Sequence, residues 1–438
     1  MKRFIFPIAC FFALATFTFS VQAGLASQLK TQIESGRYSA LLADCAACHT
    51  LKDKPEYSGG LAFAIPTGLI YATNITPDLT YGIGTYTEQE FSKAVREGVR
   101  KDGKSLYPAM PYPSYAHLSD KEIHNLYLYF QKAVAPVHQP APKEKIFWLV
   151  NVRWPLTIWR YFFAPSAEKA KAESTPQAKD SLIKRGAYLA EGAGHCGACH
   201  TPRGNALQEQ TLEEETSHLF LSGGQNMEGW NAPNLRQDSN SGLKDWTQKD
   251  LERFLKTGKS TKSHVFGSMT EVIQKSTSYW KDEDIKAISA FLLSLPPIND
   301  KENDWAIREE GIQKQHRQFS RGEQIYIDRC ASCHGSDGQG YGLSFPPLKK
   351  NPIVTSSNTA SLIHLLENGG STPIIPSISP SSFTMPGFSE MLSDIQISEV
   401  LTYIRSAWGN HAKPVSVRKV RKIRRNIQKE VLPAAPLN

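Results

Sequence analysis

One pentapeptide, Cys-x-x-Cys-His, occurs three times in this 438-residue chain. The copies are Cys45-Ala46-Ala47-Cys48-His49, Cys196-Gly197-Ala198-Cys199-His200 and Cys330-Ala331-Ser332-Cys333-His334, which together use six of the seven cysteines. Two thiols at this spacing can bond the two vinyl groups on one edge of a porphyrin, and the adjacent histidine then lies over the iron. Other uses of a Cys-x-x-Cys pair do not fit the count. A structural zinc site takes four ligands, usually from two nearby pairs. These pairs stand 151 and 134 residues apart, and the third is left over. A thioredoxin-like pair belongs to a βαβ pattern, which is absent around these motifs. Disulfides inside the motifs would be strained and would leave three histidines unexplained. The motifs therefore predict three covalently bound haem c groups on Cys45, Cys48, Cys196, Cys199, Cys330 and Cys333, with His49, His200 and His334 as axial ligands.

The seventh cysteine, Cys10, falls in a segment with the pattern of an export signal. Residues 1–23 begin Met-Lys-Arg, run apolar from Phe4 to Phe19 and end Val21-Gln22-Ala23. A charged start, an apolar middle and a small-residue end form a cleavable signal peptide, with cleavage expected after Ala23. Covalent haem attachment outside the bacterial cytoplasm agrees with export.

The sequence around the motifs repeats as well. A similar helix is expected before each: Arg37 to Leu42, Arg185 to Ala190 and Arg321 to Tyr326. Ser58-Gly59-Gly60 and Ser222-Gly223-Gly224 follow the first two motifs. Thr87/Glu90 and Thr247/Asp250 then open capped helices that stop near Gly98 and Gly258. Each unit closes with another helix, starting at Ser119-x-x-Glu122, Asp282 and Ser393-x-x-Gln396. Apolar residues recur there at helical spacing, as in Ile123, Leu126, Tyr127 and Phe130. Strand-like alternation is scarce. The fold class expected is all-α: three tandem small cytochrome c-type domains, each wrapped around one covalent haem that supplies much of its core. The expected division is 1–23 signal peptide, 24–138 domain 1, 139–180 linker with an aromatic segment, 181–298 domain 2, 299–316 linker, 317–411 domain 3 and 412–438 basic amphipathic tail.

A haem that only passes electrons has both axial positions filled, and methionine opposite histidine raises its potential. Met110 is the one candidate in the first unit. The second offers Met227 and Met269, and the third Met385 and Met391. Met269 and Met385 are preferred, because they precede the closing helix at an offset like that of Met110. The chosen three lie 55 to 73 residues after the first cysteine of their unit. Met391 reads as a core residue, His195 as a surface or haem-edge residue, and His264 as a rival ligand in the second unit. Each iron-binding histidine needs an acceptor for its second ring nitrogen. The carbonyls of Pro233 and Pro346 are the candidates in units two and three, with none evident in unit one.

The formal charge of +8 is unevenly spread: residues 1–23 carry +2, residues 415–438 carry +6, and the body between is neutral. In the tail, Val417, Val420, Ile423, Ile427 and Val431 share one helical face among basic residues, a pattern suited to a membrane surface or a partner subunit. Ile146 to Phe163 mixes Trp148, Trp154, Trp159 and Tyr161 with Arg153 and Arg160, which suits a bilayer interface or a contact between units one and two. It is too interrupted to span a bilayer. Export and haem argue against nucleic acid as the partner of the basic tail.

With these residues in view, the chain resembles the triple-haem cytochrome c subunit of membrane-bound bacterial dehydrogenases, the gluconate 2-dehydrogenase and alcohol dehydrogenase complexes among them. The matching stretches are Tyr71 to Asp78, Gly82-Ile83-Gly84, Leu106 to Tyr115, Gly194 to Gly204, Phe345 to Leu348, Met385 to Phe388 and Ser406 to Asn410. The resemblance implies a subunit with no catalytic residues of its own. It takes electrons from a flavin- or quinoprotein-type catalytic subunit and passes them to ubiquinone, at the periplasmic face of the cytoplasmic membrane. It also implies axial ligation by His49, His200 and His334 with Met110, Met269 and Met385. The competing classes are a multihaem enzyme such as a peroxidase, which needs one iron open on its distal side, and a stand-alone electron carrier.

Overall fold

The computed structural model describes residues 8–65, 67–147, 152–173, 181–225, 229–239, 241–298 and 319–431. Met227, Trp148, the connection over 299–316 and the side chains of the expected signal segment lie outside the described residues. The chain is mostly helical. In order come α1 (Ile8–Leu42), α2 (Cys45–His49), β1 (Ala62–Ile65), β2 (Gly68–Tyr71), α3 (Glu88–Glu97), α4 (Tyr112–Tyr115), α5 (Asp120–Lys132), β3 (Lys145–Ile146), α6 (Trp154–Phe163) and α7 (Ala167–Glu173). Then follow α8 (Ser181–Tyr188), α9 (Gly197–His200), β4 (Gly224–Gln225), β5 (Asn231–Ala232), α10 (Gln248–Thr257), α11 (Met269–Lys275) and α12 (Asp282–Ser294). The last part holds α13 (Arg321–Arg329), α14 (Ala331–His334), α15 (Pro352–Thr355), α16 (Ala360–Asn368), β6 (Gly370–Ser371), β7 (Thr384–Met385), α17 (Asp394–Ser406) and α18 (Val417–Val431).

The helix boundaries follow from local chemistry. Full capping boxes form at Thr87/Glu90, Ser119/Glu122, Thr247/Asp250 and Ser393/Gln396. Each satisfies two amide groups that the first turn leaves open. Gly98 and Gly258 end α3 and α10 in the left-handed conformation, at φ 64° and 72°.

The expectation of an all-helical chain needs one amendment, because the described residues include three small antiparallel sheets. β1 pairs with β2 in register Ala62↔Tyr71 to Ile65↔Gly68, and β3 adds Lys145 and Ile146 to the far edge of β2. Ala-Phe-Ala-Ile and Gly-Leu-Ile-Tyr carry aromatic and β-branched residues that suit a pleated surface. They are too short for a period to stand out in sequence. β3 also packs the start of the segment read as a linker onto the first unit. Asn74 does the same, donating from Nδ2 to the carbonyls of Val137 (2.8 Å) and Gln139 (3.0 Å).

Three helix pairs recur: α1 on α5, α8 on α12 and α13 on α17. Each crossing is close because a glycine stands in the first helix. A Cβ at Gly36, Gly186 or Gly322 would lie 1.9, 2.1 or 2.3 Å from the carbonyl oxygen of Asn125, Ala287 or Glu399. The apolar interior is not divided into three equal parts. The first two units share one cluster running from Ala40 and Leu42 to Leu292 and Leu295, while Ile325 to Val420 form a second. Asp284 of α12 joins the first two units further. It accepts from Tyr38 Oη (2.7 Å) and from Arg185 Nε (2.7 Å) and Nη2 (3.0 Å).

The basic tail, read as an amphipathic helix suited to a membrane surface or a partner subunit, turns its apolar side to its own chain instead. α18 forms, but its apolar side packs on α16 and α17 of its own chain. Val420 and Ile427 are buried, and Ile423 packs against the same core. Arg424 pairs with Glu367 (2.8 Å) and Asp394 (3.0 Å), and Arg421 with Asp394 (3.1 Å). The periodicity is a true helix signal, but the surface that takes the apolar face comes from residues about 20 to 60 positions upstream.

Candidate haem sites

Each Cys-x-x-Cys-His motif lies on a short helix that ends at or next to its histidine. All three imidazoles are held alike. Nδ1 of His49 donates to the Thr73 carbonyl at 2.6 Å, His200 to Pro233 at 2.8 Å, and His334 to Pro346 at 2.9 Å. A carbonyl only accepts, so Nδ1 carries the proton and the Nε2 lone pair is left for a metal. Burial lowers the pKa of all three rings, which favours the neutral form a metal requires. The proline carbonyls are those the sequence pointed to. The first unit uses Thr73, and a signal for it existed. Ala72-Thr73-Asn74 and Ala232-Pro233-Asn234 are equivalent, and each asparagine Oδ1 accepts an amide two residues on, from Thr76 (2.9 Å) and Arg236 (2.8 Å).

None of the six described cysteines is joined in a disulfide. Burial pushes the thiols of Cys45, Cys196 and Cys330 up to about 12, with further contributions from the nearby thiol of the same motif. They are not thiolates poised for attack on solvent species. Among the described residues no group of three His, Cys, Asp or Glu side chains converges to hold a metal ion. Each histidine is thus accompanied by its own pair of thiols and an apolar surround.

Met110, Met269 and Met385 are all half-buried. Met110 and Met269 pack against the core that also takes Cys45 and Cys196, and Met385 against the core that takes Cys330. Their local settings differ. Met110 sits in a turn before α4, Met269 opens α11, and Met385 pairs with Gly370 across β6 and β7. Met391, read as core, is half exposed at 50%, because it lies in the turn before α17 and not on its buried face.

Two histidines acquire specific surroundings. His195, read as a surface or haem-edge residue, is partly buried. Its ring lies beside the Ala43 carbonyl and meets Tyr115 edge-on at 5.5 Å. Tyr115 Oη donates to the same carbonyl at 2.6 Å. The residue before the second motif is therefore tied to the residue two before the first. His264, weighed as a rival ligand in unit two, lies instead at the junction with the third unit, in the hairpin whose Ser263 is reached by Asn351 Nδ2 at 3.4 Å.

Helices built around Cys-x-x-Cys-His motifs, with each imidazole held by a backbone carbonyl, are the marks of a cytochrome c. A family model described as cytochrome c matches residues 183–296 and 319–408, the stretches with the second and third motifs. The cytochrome c subunit of the quinone alcohol dehydrogenase of Komagataeibacter europaeus is 45% identical over 385 residues, covering 87% of this chain and 81% of that protein. Its counterpart from Gluconobacter oxydans is 41% identical over 397 residues (90% and 82%). The gluconate 2-dehydrogenase cytochrome c subunit of Pantoea cypripedii is 41% identical over 400 residues (90% of each). The chain belongs to the family of dehydrogenase cytochrome c subunits.

Proposed function

We propose that this chain is the electron-relay subunit of a quinone-linked dehydrogenase complex, taking electrons from a flavin- or quinoprotein-type catalytic subunit and delivering them to ubiquinone. It is read as three tandem cytochrome c domains, near 24–138, 181–298 and 317–411, with one haem c each. Cys45 and Cys48, Cys196 and Cys199, and Cys330 and Cys333 form the thioethers. His49, His200 and His334 bind iron through Nε2, and Met110, Met269 and Met385 close the opposite faces. The residues present fit the group: no thiol of the three motifs is taken up in a disulfide, and each imidazole has Nδ1 engaged by a carbonyl, which leaves Nε2 to face iron. A bound haem supplies a one-electron couple. The chain's own residues orient the imidazoles, exclude water and leave no substrate position.

The observation that carries this reading is the threefold repeat of an imidazole anchored through Nδ1 to a backbone carbonyl. A pyridine hemochrome assay together with intact mass tests it. Three haems per polypeptide and co-purification with a larger catalytic subunit are expected, and a count below three overturns it. Rapid stoichiometric carbon monoxide binding at one reduced haem would favour the enzyme alternative.

Export by residues 1–23 and residence at the periplasmic membrane face belong to the same proposal. No helix among the described residues is long and apolar enough to cross a membrane, so attachment is read as peripheral. With the apolar side of α18 spent internally, α6 is the better candidate. Its Trp154, Ile158, Tyr161 and Phe162 share one face and are exposed. Its other face is tied down by Trp159 Nε1 to Ala206 (2.8 Å), Thr157 to Ser105 (2.9 Å) and Arg160 to the Glu97 carbonyl (3.3 Å). Aromatic residues beside arginine suit the headgroup region, and Arg418, Lys422 and Arg425 of α18 remain exposed to add charge attraction. Flotation with anionic vesicles should be lost on changing Trp154, Tyr161 and Phe162 to Ser.

A further inference from the structure

The hairpin that follows α10 is built from the second unit but lodges in the third. Gly258 turns the chain, Lys259 bridges to His264, and Ser260 N donates to the Ser263 carbonyl at 2.9 Å. Lys259 Nζ donates to the Ser381 carbonyl at 2.6 Å and lies 4.6 Å from the centre of the Phe383 ring. Asn351 Nδ2 reaches Ser263 Oγ at 3.4 Å and the Pro347 carbonyl at 2.9 Å. Phe383 in turn meets Phe345 at 6.0 Å, next to the Pro346 carbonyl that holds His334. The hairpin therefore lies between the loop on the histidine side of the third motif and the loop that leads into Met385.

It carries two basic groups into that position. Lys259 and His264 are each only 7% exposed. His264 Nε2 is buried without a hydrogen-bond partner, and among the described residues no carboxylate lies within ion-pair distance of Lys259. A buried ammonium and a buried unsatisfied imidazole nitrogen are both costly unless an acceptor meets them. Nothing in the two loops answers that need with negative charge. The porphyrin of haem c carries two propionate groups, which are anionic and rich in acceptor oxygens.

We propose that Lys259 and His264, from the second unit, bind the propionates of the haem held by Cys330, Cys333 and His334, so that the third haem pocket is completed by its neighbour. This rests on the reading of the third motif as a haem site. A positive charge and a hydrogen-bond donor at the propionates favour the reduced, more negative state, so they raise the potential of that one haem. They also fasten the second unit to the third.

The test is a redox titration of the fully haem-loaded full-length chain, with the three couples resolved spectroscopically. In Lys259→Met and in His264→Leu one couple should move to lower potential and the other two should stay. Lys259→Arg, which keeps the charge, should restore the original value, and Ser263→Ala, which leaves both basic groups in place, should not move it. Unchanged couples in both variants, with three haems still present, would overturn the proposal and leave the haem reading intact. An equal shift in Ser263→Ala would overturn it by exposing a purely structural effect. Appearance of a high-spin haem in His264→Leu would overturn it by making His264 an iron ligand. A wild-type protein with no haem on the third motif would instead remove the reading on which the proposal stands.

Discussion

Replacing Gly186 by Ala tests whether close helix crossings hold the units together. Considered alone, the change favours α8, since alanine is better than glycine inside a helix by about 1 kcal/mol. The crossing reverses the sign. The new Cβ would stand 2.1 Å from the Ala287 carbonyl oxygen and 2.5 Å from Phe291 Cβ. The nearest of these atoms is backbone, so no rotamer change relieves the clash, and α8 and α12 must separate by roughly 1 Å to reach ordinary contact distance. Overpacking of this kind costs about 1–3 kcal/mol. Against a backbone neighbour the upper end applies, leaving a net loss of about 2 kcal/mol after the helix gain. In the large core shared by the first two units, that is a fall in midpoint of about 4–8 °C. The assay is thermal unfolding of the haem-loaded protein by far-ultraviolet circular dichroism, with Gly36→Ala and Gly322→Ala alongside. A midpoint at or above that of the parent chain in all three would refute the reasoning.

Three further outcomes follow from the same geometry. For Asp284, burial raises the carboxyl pKa, and the bonds from Arg185 and Tyr38 outweigh it, so it titrates below the ordinary carboxylate range. Its stabilisation is complete above the unfolded pKa of about 3.9 and is lost as pH falls through the lower folded value. Asp284→Asn should therefore cost about 2 kcal/mol at neutral pH, with the gap to the parent closing in acid; a gap independent of pH would contradict this assignment. Met385→Ala should lower one haem potential and admit carbon monoxide at that iron, and unaltered spectra would remove Met385 as a ligand. Val420→Asp buries a carboxylate where Val420 is fully buried. It should release α18 at a cost of about 3 kcal/mol, read as faster tryptic cleavage after Arg421 and Arg424; an unchanged digestion rate would show that the docking is not carried by this face.

The local chemistry of the chain was legible without coordinates. A thiol pair and histidine within five residues specify their own chemistry, and so the three motifs stood out. Capping boxes at Thr87, Ser119, Thr247 and Ser393 join groups three residues apart, and Gly98 and Gly258 stop helices through their own backbone freedom. Pro233 and Pro346 were readable because a rigid loop follows each motif at a plausible distance. Thr73 was missed although Ala72-Thr73-Asn74 repeats Ala232-Pro233-Asn234, since a carbonyl acceptor has no side-chain signature.

What the sequence determined by itself, then, was the three Cys-x-x-Cys-His motifs and the helices around them, because those depend on atoms a few residues apart. Only the tertiary structure decided which faces meet. It spent the apolar side of α18 on α16 and α17, merged the first two units into one core, drew His195 onto Ala43, and lodged Lys259 and His264 beside the third motif. Those contacts join residues tens to hundreds of positions apart. A periodic pattern shows that a face is apolar, but the surface that covers it is selected by the packing of the whole chain.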